Sequence, residues 1–197
     1  VLVSTVGLGV LACALGTVPW DWLYTHRWAG LAGACAVGLA FSLAVVLPAP
    51  GGGKPFLVEF YKGRLDNPQF LGGRVDAKMF LYLAGATMLA LNILSFAAHH
   101  ALRFGPDASP GVYLYAALFL WFVAEYLAFE RVHLYTYDLV AERVGFKLGW
   151  GCFTFYPYFY AVGLWAVADL PDPRSPPWRP ALAAAVFVSG WILTRGA

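Results

Sequence analysis

The chain has 197 residues, of which 60% are hydrophobic, 17% aromatic and only 12% charged, and its mean hydropathy is +0.65. A soluble globular domain is about 25% charged, so this composition excludes that class and implies an integral membrane protein. The formal net charge of +2, with no basic stripe along any predicted helix, gives no basis for a nucleic-acid partner.

Apolar runs of the length a helix needs to cross a bilayer core, about 20 residues, are predicted at 28–47, 79–97, 111–129, 144–168 and 180–193, after a shorter run over 1–16. They are predicted as helices because a lipid-facing segment must satisfy its own backbone and none alternates as a barrel strand does. The expected fold is therefore all-α: a polytopic transmembrane helical bundle of about six segments, forming a single integral-membrane domain over 1–197. The first residue is Val1 and no charged region precedes the first apolar run, which does not read as a signal peptide. The chain stops at Ala197 directly after an apolar run, and the expectation is an internal, truncated piece of a longer protein.

Six alternating segments sort the basic residues onto two faces. One carries Lys54, Lys62, Arg64, Arg74, Lys78, Arg131, Arg143, Lys147 and Arg195; the other carries Arg27, Arg103, Arg174 and Arg179. The positive-inside rule makes the first face cytoplasmic, together with the loops 51–78 and 130–147. Cys13, Cys35 and Cys152 lie scattered in apolar segments, as packed thiols do, rather than as a disulfide framework or a metal site. The pair His99-His100 is predicted in a short loop on the opposite face. With His26 and His133 it reads as surface or packing residues, so no metal is expected. The run Gly51-Gly52-Gly53-Lys54 lacks the spacing of a phosphate-binding loop and is expected to be a flexible linker.

The residues that bear on chemistry are acidic or aromatic. Glu125 lies inside an apolar run, where an ionised carboxylate is costly, so it either packs against a neighbouring polar side chain or serves a function. Glu130, Asp138 and Glu142 lie near the predicted interface. Asp138 and Glu142 are four apart, so on a helix they share a face; they are either solvated loop charges or two groups aimed at one ligand. The segment 150–160, WGCFTFYPYFY, crowds rings around Pro157, which should kink a helix and free a carbonyl. Aromatic residues at helix ends commonly form an interfacial belt. A kinked, ring-lined segment can instead wall a cavity for a large flat apolar ligand, with a tyrosine hydroxyl as proton donor and ring faces shielding a cation.

Three blocks carry a resemblance to a known family. The first is 60–69, FYKGRLDNPQ, similar to a Gly-Arg-Glu-Leu-Asn-Pro-Arg pattern, followed by Asp76-Ala77-Lys78-Met79-Phe80. The second is Leu91-Asn92-Ile93-Leu94-Ser95. The third runs from Glu130 through Asp138, Glu142 and Gly145-Phe146 to Trp150-Gly151-Cys152, Pro157 and Tyr160. In this order the blocks resemble the sterol reductases that saturate Δ14, Δ7 or Δ24(28) double bonds with NADPH, a family that also contains the lamin B receptor. Leu65-Asp66 stands in place of Glu-Leu, Gln69 in place of a second arginine, and Cys152 where many members have aspartate, which marks a divergent member.

The resemblance implies an NADPH-dependent sterol reductase that reduces a double bond of a sterol or another polycyclic isoprenoid, most readily Δ14 or Δ7, in a bacterial inner membrane or the endoplasmic reticulum. Its partners would be sterol substrate and membrane lipid, with the cofactor side cytoplasmic. Tyr160, Asp138 and Glu130 are the expected catalytic residues: Tyr160 in proton donation or substrate contact, the acids at the mouth or in a relay. Glu142, Trp150, Phe153, Tyr156 and Asn92 are expected to bind substrate, and Arg64 and Asn67 to brace the structure. The residues that bind NADPH are expected beyond Ala197, so the fragment alone is expected to be inactive. A non-catalytic sterol-binding protein of the same fold is the alternative, and a membrane methyltransferase of isoprenylcysteine ranks behind it.

Overall fold

The computed structural model describes residues 2–129, 132 and 135–196. The helices are α1 (Leu2–Ala14), α2 (Trp22–Thr25), α3 (Arg27–Val46), α4 (Phe56–Lys62), α5 (Ala77–Phe104), α6 (Pro110–Ala128), α7 (Tyr137–Val140), α8 (Phe146–Trp150), a π-helix (Gly151–Phe159), α9 (Val162–Val167) and α10 (Trp178–Gly196). Two short strands, β1 (Gln69–Phe70) and β2 (Val75–Asp76), pair antiparallel ahead of α5. The fold is all-α and largely membrane-embedded.

Three helices among the described residues are long and apolar enough to cross a bilayer, Arg27–Val46, Ala77–Asp107 and Pro110–Ala128, against the six expected. Two further apolar helices, Val3–Ala14 and Trp178–Thr194, are shorter. The correction is sharpest over 144–168. Hydropathy reads that stretch as one span, whereas the backbone is a five-residue helix, a nine-residue π-helix around Pro157 and a separate six-residue helix. Proline has no N–H to give and cannot continue an α-helical ladder, and the wider π register absorbs the defect.

Helix α5 is the centre of the molecule. Leu81, Ala86, Leu89, Ile93 and Phe96 are fully buried along it, the last four on a stripe that recurs every three or four residues. It starts where Asp76 accepts the Met79 N–H at 3.0 Å, an N-cap that satisfies one of the helix's orphan donors. Burial works against the Asp76 carboxylate, but the Met79 N–H and the Gln69 and Asn67 side-chain amides together hold it below the usual carboxylate range. Asn67 thus braces the entry to α5, and its Oδ1 also accepts the Lys78 N–H at 3.3 Å.

In lipid, helices approach through small residues because there is no hydrophobic drive between them. A Cβ on Gly85 of α5 would lie 2.6 Å from the Cys152 carbonyl oxygen and 2.6 Å from Tyr156 Cδ1, and one on Gly38 of α3 would lie 2.9 Å from Trp150 Cα. Asn92, 1% exposed, donates its side-chain amide to the Pro157 carbonyl at 2.9 Å. Substrate contact was the expectation for Asn92; the structure places it behind the π-helix, bonded to that helix's backbone.

The end of the bundle formed by α2, the last turns of α5 and the segment after α9 is tied by polar groups. His99 and His100 lie within α5 rather than in a loop. His100 is fully buried and bridges the Ala168 carbonyl (3.0 Å) and the Ser109 N–H (2.8 Å), which requires the neutral tautomer that donates from Nδ1 and accepts at Nε2. His99 stacks on Tyr24 with ring centroids 3.7 Å apart and faces Asp21 and Asp169. The Tyr24 hydroxyl donates to Asp169, which also pairs with Arg103. Burial and the bond to Asp169 push the Tyr24 hydroxyl up to about 12, and the Tyr24 bond, with His99 and Arg103, holds Asp169 below its ordinary range.

Two outcomes follow from this packing. Gly85→Ala should lower the melting temperature of the detergent-solubilised protein: better helix propensity is worth about 1 kcal/mol, but overpacking against a rigid carbonyl costs typically about 1–3 kcal/mol. An unchanged or higher melting temperature would contradict the close approach. For Tyr24, a raised folded value means that its contribution is complete below the ordinary tyrosine value near 10 and is lost as pH rises through about 12. Tyr24→Phe should therefore reduce stability at neutral pH and flatten the alkaline loss between those values, read as melting temperature against pH.

Candidate functional site

The loop after α3 is built before the site it supports. Arg64 donates Nε to Glu59 at 2.7 Å and Nη1 to the Val46 and Ala49 carbonyls at 3.0 and 2.8 Å, so a cation closes the carbonyl end of α3. The other oxygen of Glu59 accepts the Gly52 and Lys54 N–H groups at 2.7 and 3.1 Å. The glycine run is consequently a pinned turn and not a flexible linker. The Arg64 side chain, with the Lys54 and Gly52 N–H groups, holds the Glu59 carboxyl below its usual range.

This loop meets the second polar loop at a crossing of two glycines. Gly63 has φ +94°, and a Cβ there would lie 2.5 Å from the Val144 carbonyl carbon, while a Cβ on Gly145 would lie 2.3 Å from the Gly63 nitrogen. Only residues without a side chain fit. The Val144 N–H donates to the Leu65 carbonyl at 2.9 Å alongside. The contact brings α4 against α8, and Glu142, largely buried, accepts Lys147 Nζ.

Helix α5 fixes the intervening segment from the other side. Lys78, 1% exposed, donates Nζ to the Leu139 carbonyl at 2.8 Å, and Tyr82, one turn on, donates its hydroxyl to Asp138 Oδ2 at 2.8 Å. Two adjacent residues of α7 are thereby held by two side chains four apart on one helix face.

Between α5, α6, α7 and the π-helix lies a cavity of about 410 Å³, within the roughly 300–1,000 Å³ of small-molecule sites. Asp138, Glu142, Trp150, Tyr156 and Tyr160 line it, with Tyr61, Tyr82, Phe122, Tyr126 and Phe155 supplying further rings. Tyr156 is 8% exposed, and its hydroxyl has no hydrogen-bond partner among the described residues; a buried hydroxyl left unpaired costs about 1–3 kcal/mol. Tyr160 is half exposed and packs edge-on against Tyr156 and Phe155, centroids 5.0 and 5.7 Å apart. Tyr160 and Phe122 also border an apolar groove of about 800 Å³ between α6 and α10, so Tyr160 stands where the two spaces meet.

The structure thus brings five of the sequence-predicted residues to one cavity and leaves others elsewhere. Phe153 points away, packing on Phe41 and Phe80 with centroids 5.6 and 6.3 Å apart. Asn92, Arg64 and Asn67 hold backbone and loops together. Glu130 lies outside the described residues. Lys78, Tyr82 and Tyr126 are not among the site residues expected from the sequence; Lys78 falls in the predicted loop 51–78 and only Tyr82 in the predicted span, so their shared helix face is seen only once α5 is known to begin at Ala77.

The family described as the Ergosterol biosynthesis ERG4/ERG24 family matches residues 48–189, which take in both polar loops, α5, α6 and the whole cavity. The chain belongs to this family. Among curated proteins it is similar to a Delta(14)-sterol reductase of Arabidopsis thaliana, 29% identical over 132 residues, covering 66% of this chain and 34% of that protein. It is also similar to a Delta(14)-sterol reductase of Dictyostelium discoideum, 29% identical over 106 residues, covering 53% of this chain and 22% of that protein. A third relative, Delta(14)-sterol reductase erg24 of Schizosaccharomyces pombe, is 27% identical over 107 residues, covering 54% of this chain and 25% of that protein. The chain spans about a third or less of the length of each.

The described residues do not by themselves fit NADPH. The polar cleft beside the cavity is lined by five cationic side chains, but Arg64, Arg143 and Lys147 are committed to Glu59, Asp66 and Glu142. No described turn has the glycine-rich spacing that cradles a pyrophosphate.

Lys78→Met should release the Leu139 carbonyl. A hydrogen bond to a charged donor contributes about 1.5–3 kcal/mol, so hydrogen exchange over 137–142 should quicken by roughly tenfold or more while that of α6 stays unchanged. Equal exchange in both proteins would show that the Lys78 bond does not hold this segment.

Proposed function

We propose that this chain forms the substrate-protonating part of a membrane-embedded reductase that saturates a carbon–carbon double bond of a sterol or related polycyclic isoprenoid, Δ14 before Δ7. One observation carries the reading: Asp138, Glu142, Trp150, Tyr156 and Tyr160 line one ring-walled cavity, in a chain of the ERG4/ERG24 family. The reductant of the whole protein is proposed to be NADPH, and the residues that hold it are assigned outside the chain described.

An unactivated alkene is reduced ionically only if one carbon is protonated while the other bears positive charge. Protonation is the difficult half, and the cavity is suited to it. Tyr160 is proposed as the proton donor or the group touching the reacting carbons. The Tyr156 hydroxyl, buried without a partner among the described residues, is proposed to engage a polar atom of the substrate and so orient the rings. The faces of Phe122, Tyr126 and Phe155 provide negative potential for the developing cation, and Asp138, oriented by the Tyr82 hydroxyl, adds a fixed carboxylate at the polar end. Electrostatic groups already in position act without reorganisation cost. The groove between α6 and α10 would admit an apolar substrate from the bilayer. By the positive-inside rule, the end bearing α4 and α7 is proposed to face the cytoplasm, and the chain is proposed to form one domain.

The test is product analysis by mass spectrometry after expressing the full-length gene with Δ14, Δ7 and Δ24(28) substrates. The native protein should yield the saturated product, and Tyr160→Phe should fold normally yet lose roughly 10²–10⁴ of turnover, the range of a general acid. Unchanged turnover would remove Tyr160 from the mechanism. Sterol binding by the native protein without any product would favour a non-catalytic sterol-binding protein.

A further inference from the structure

The polar cleft between α4 and the 137–147 segment has a volume of about 470 Å³; it shares Tyr61, Glu142 and Lys147 with the cavity, but its Lys54 and Lys62 have no part in the reaction proposed above. Five cationic and two acidic side chains line it. Both carboxylates, Glu59 and Glu142, are already in ion pairs, and Arg143 pairs with Asp66. Lys54 and Lys62 remain, both exposed and with no ion pair among the described residues. The Lys54 backbone is fixed by Glu59 Oε1, so the charge is presented by an ordered turn.

Helix α4 sets the chemistry of what meets these charges. It lies between the end of α3 at Val46 and the start of α5 at Ala77, two membrane-crossing helices that reach the same surface, so it sits at the level of the lipid headgroups. Phe56, Leu57 and Tyr61 are 46%, 76% and 50% exposed, an apolar face beside the ammonium groups of Lys54 and Lys62. A soluble phosphate has nothing to offer those side chains. An amphiphile satisfies both, its phosphate in the cleft and its chains along α4.

We infer that Lys54 and Lys62, with the exposed apolar face of α4, form a binding site for the headgroup phosphate of an anionic phospholipid. The site orders the annular lipid beside the cavity and seats the polar loops on the membrane surface. It does not depend on what the cavity binds or on whether the protein reduces anything.

Native mass spectrometry of the full-length protein, purified in detergent and offered phosphatidylglycerol or phosphatidylcholine with identical chains, tests this directly. Phosphatidylglycerol should be retained in preference, and the preference should fall as salt is raised. Lys54→Gln with Lys62→Gln should weaken its retention roughly thirtyfold at low ionic strength, the sum expected of two interfacial lysines, whereas Lys54→Arg with Lys62→Arg should keep it. Equal retention of the two lipids, or an unchanged preference in the glutamine variant, overturns the inference. Displacement of the lipid by inorganic pyrophosphate at salt-matched concentration also overturns it, because the site would then be one for free phosphate. Lipid retention is read on the bound species and not on turnover, so it separates from the fate of the reductase reading.

Discussion

Close packing of α5 against the proline-containing π-helix governs how the other elements are placed. The backbone widens into a nine-residue π-helix, the amide of Asn92 reaches across to the Pro157 carbonyl, and Gly85 lets α5 come close enough for that reach. Each element is needed by the others: without the glycine the helices separate, and without the amide a carbonyl is buried with one contact fewer. The wide turn also sets the aromatic arrangement, since it places Trp150, Tyr156 and Tyr160 around one hollow while turning Phe153 toward α3.

The polar end is held by a different logic. Two loops distant in sequence are stapled by a backbone crossing at Gly63 and Gly145, and the segment between them is gripped from α5 by an ammonium and a hydroxyl. Neither contact is strong by itself, but together they leave Asp138 with one orientation. A buried lysine is tolerated here because its charge ends on a carbonyl at the carboxyl end of a short helix, where the peptide dipoles present negative potential.

Much of this was legible in the chain. Hydropathy found the three long spans to within a few residues of their ends, except that α5 runs on to Phe104 and takes His99 and His100 out of the loop expected for them. Asp138 and Glu142 both reach the cavity, but not through the shared helix face that their spacing suggested, because that helix ends at Val140; ring density marked 150–160 as a stretch able to wall a cavity. What hydropathy cannot see is hydrogen-bond register: an α-helical and a π-helical stretch of the same apolar residues score alike, so 144–168 reads as one span. It is equally blind to pairings across the fold. Glu59 looks like one more loop charge until Arg64 and the Gly52 and Lys54 amides close on it, and Asn92, a polar residue in an apolar helix, gives no sign whether it serves a ligand or a neighbouring backbone.

The glycine crossing also carries a temporal consequence. Its two halves are about eighty residues apart, and synthesis proceeds at roughly 5–20 residues per second, so Gly63 waits on the order of 4–16 s before its mate is made. Through that interval the contacts open to α3, α4 and α5 are those among residues already made, among them the Arg64 clasp on the end of α3, the Asp76 cap on α5 and the His99 contact with Asp21. The early half of the chain thus holds its own set of hydrogen bonds, none of which draws on the residues that form the other wall of the hollow.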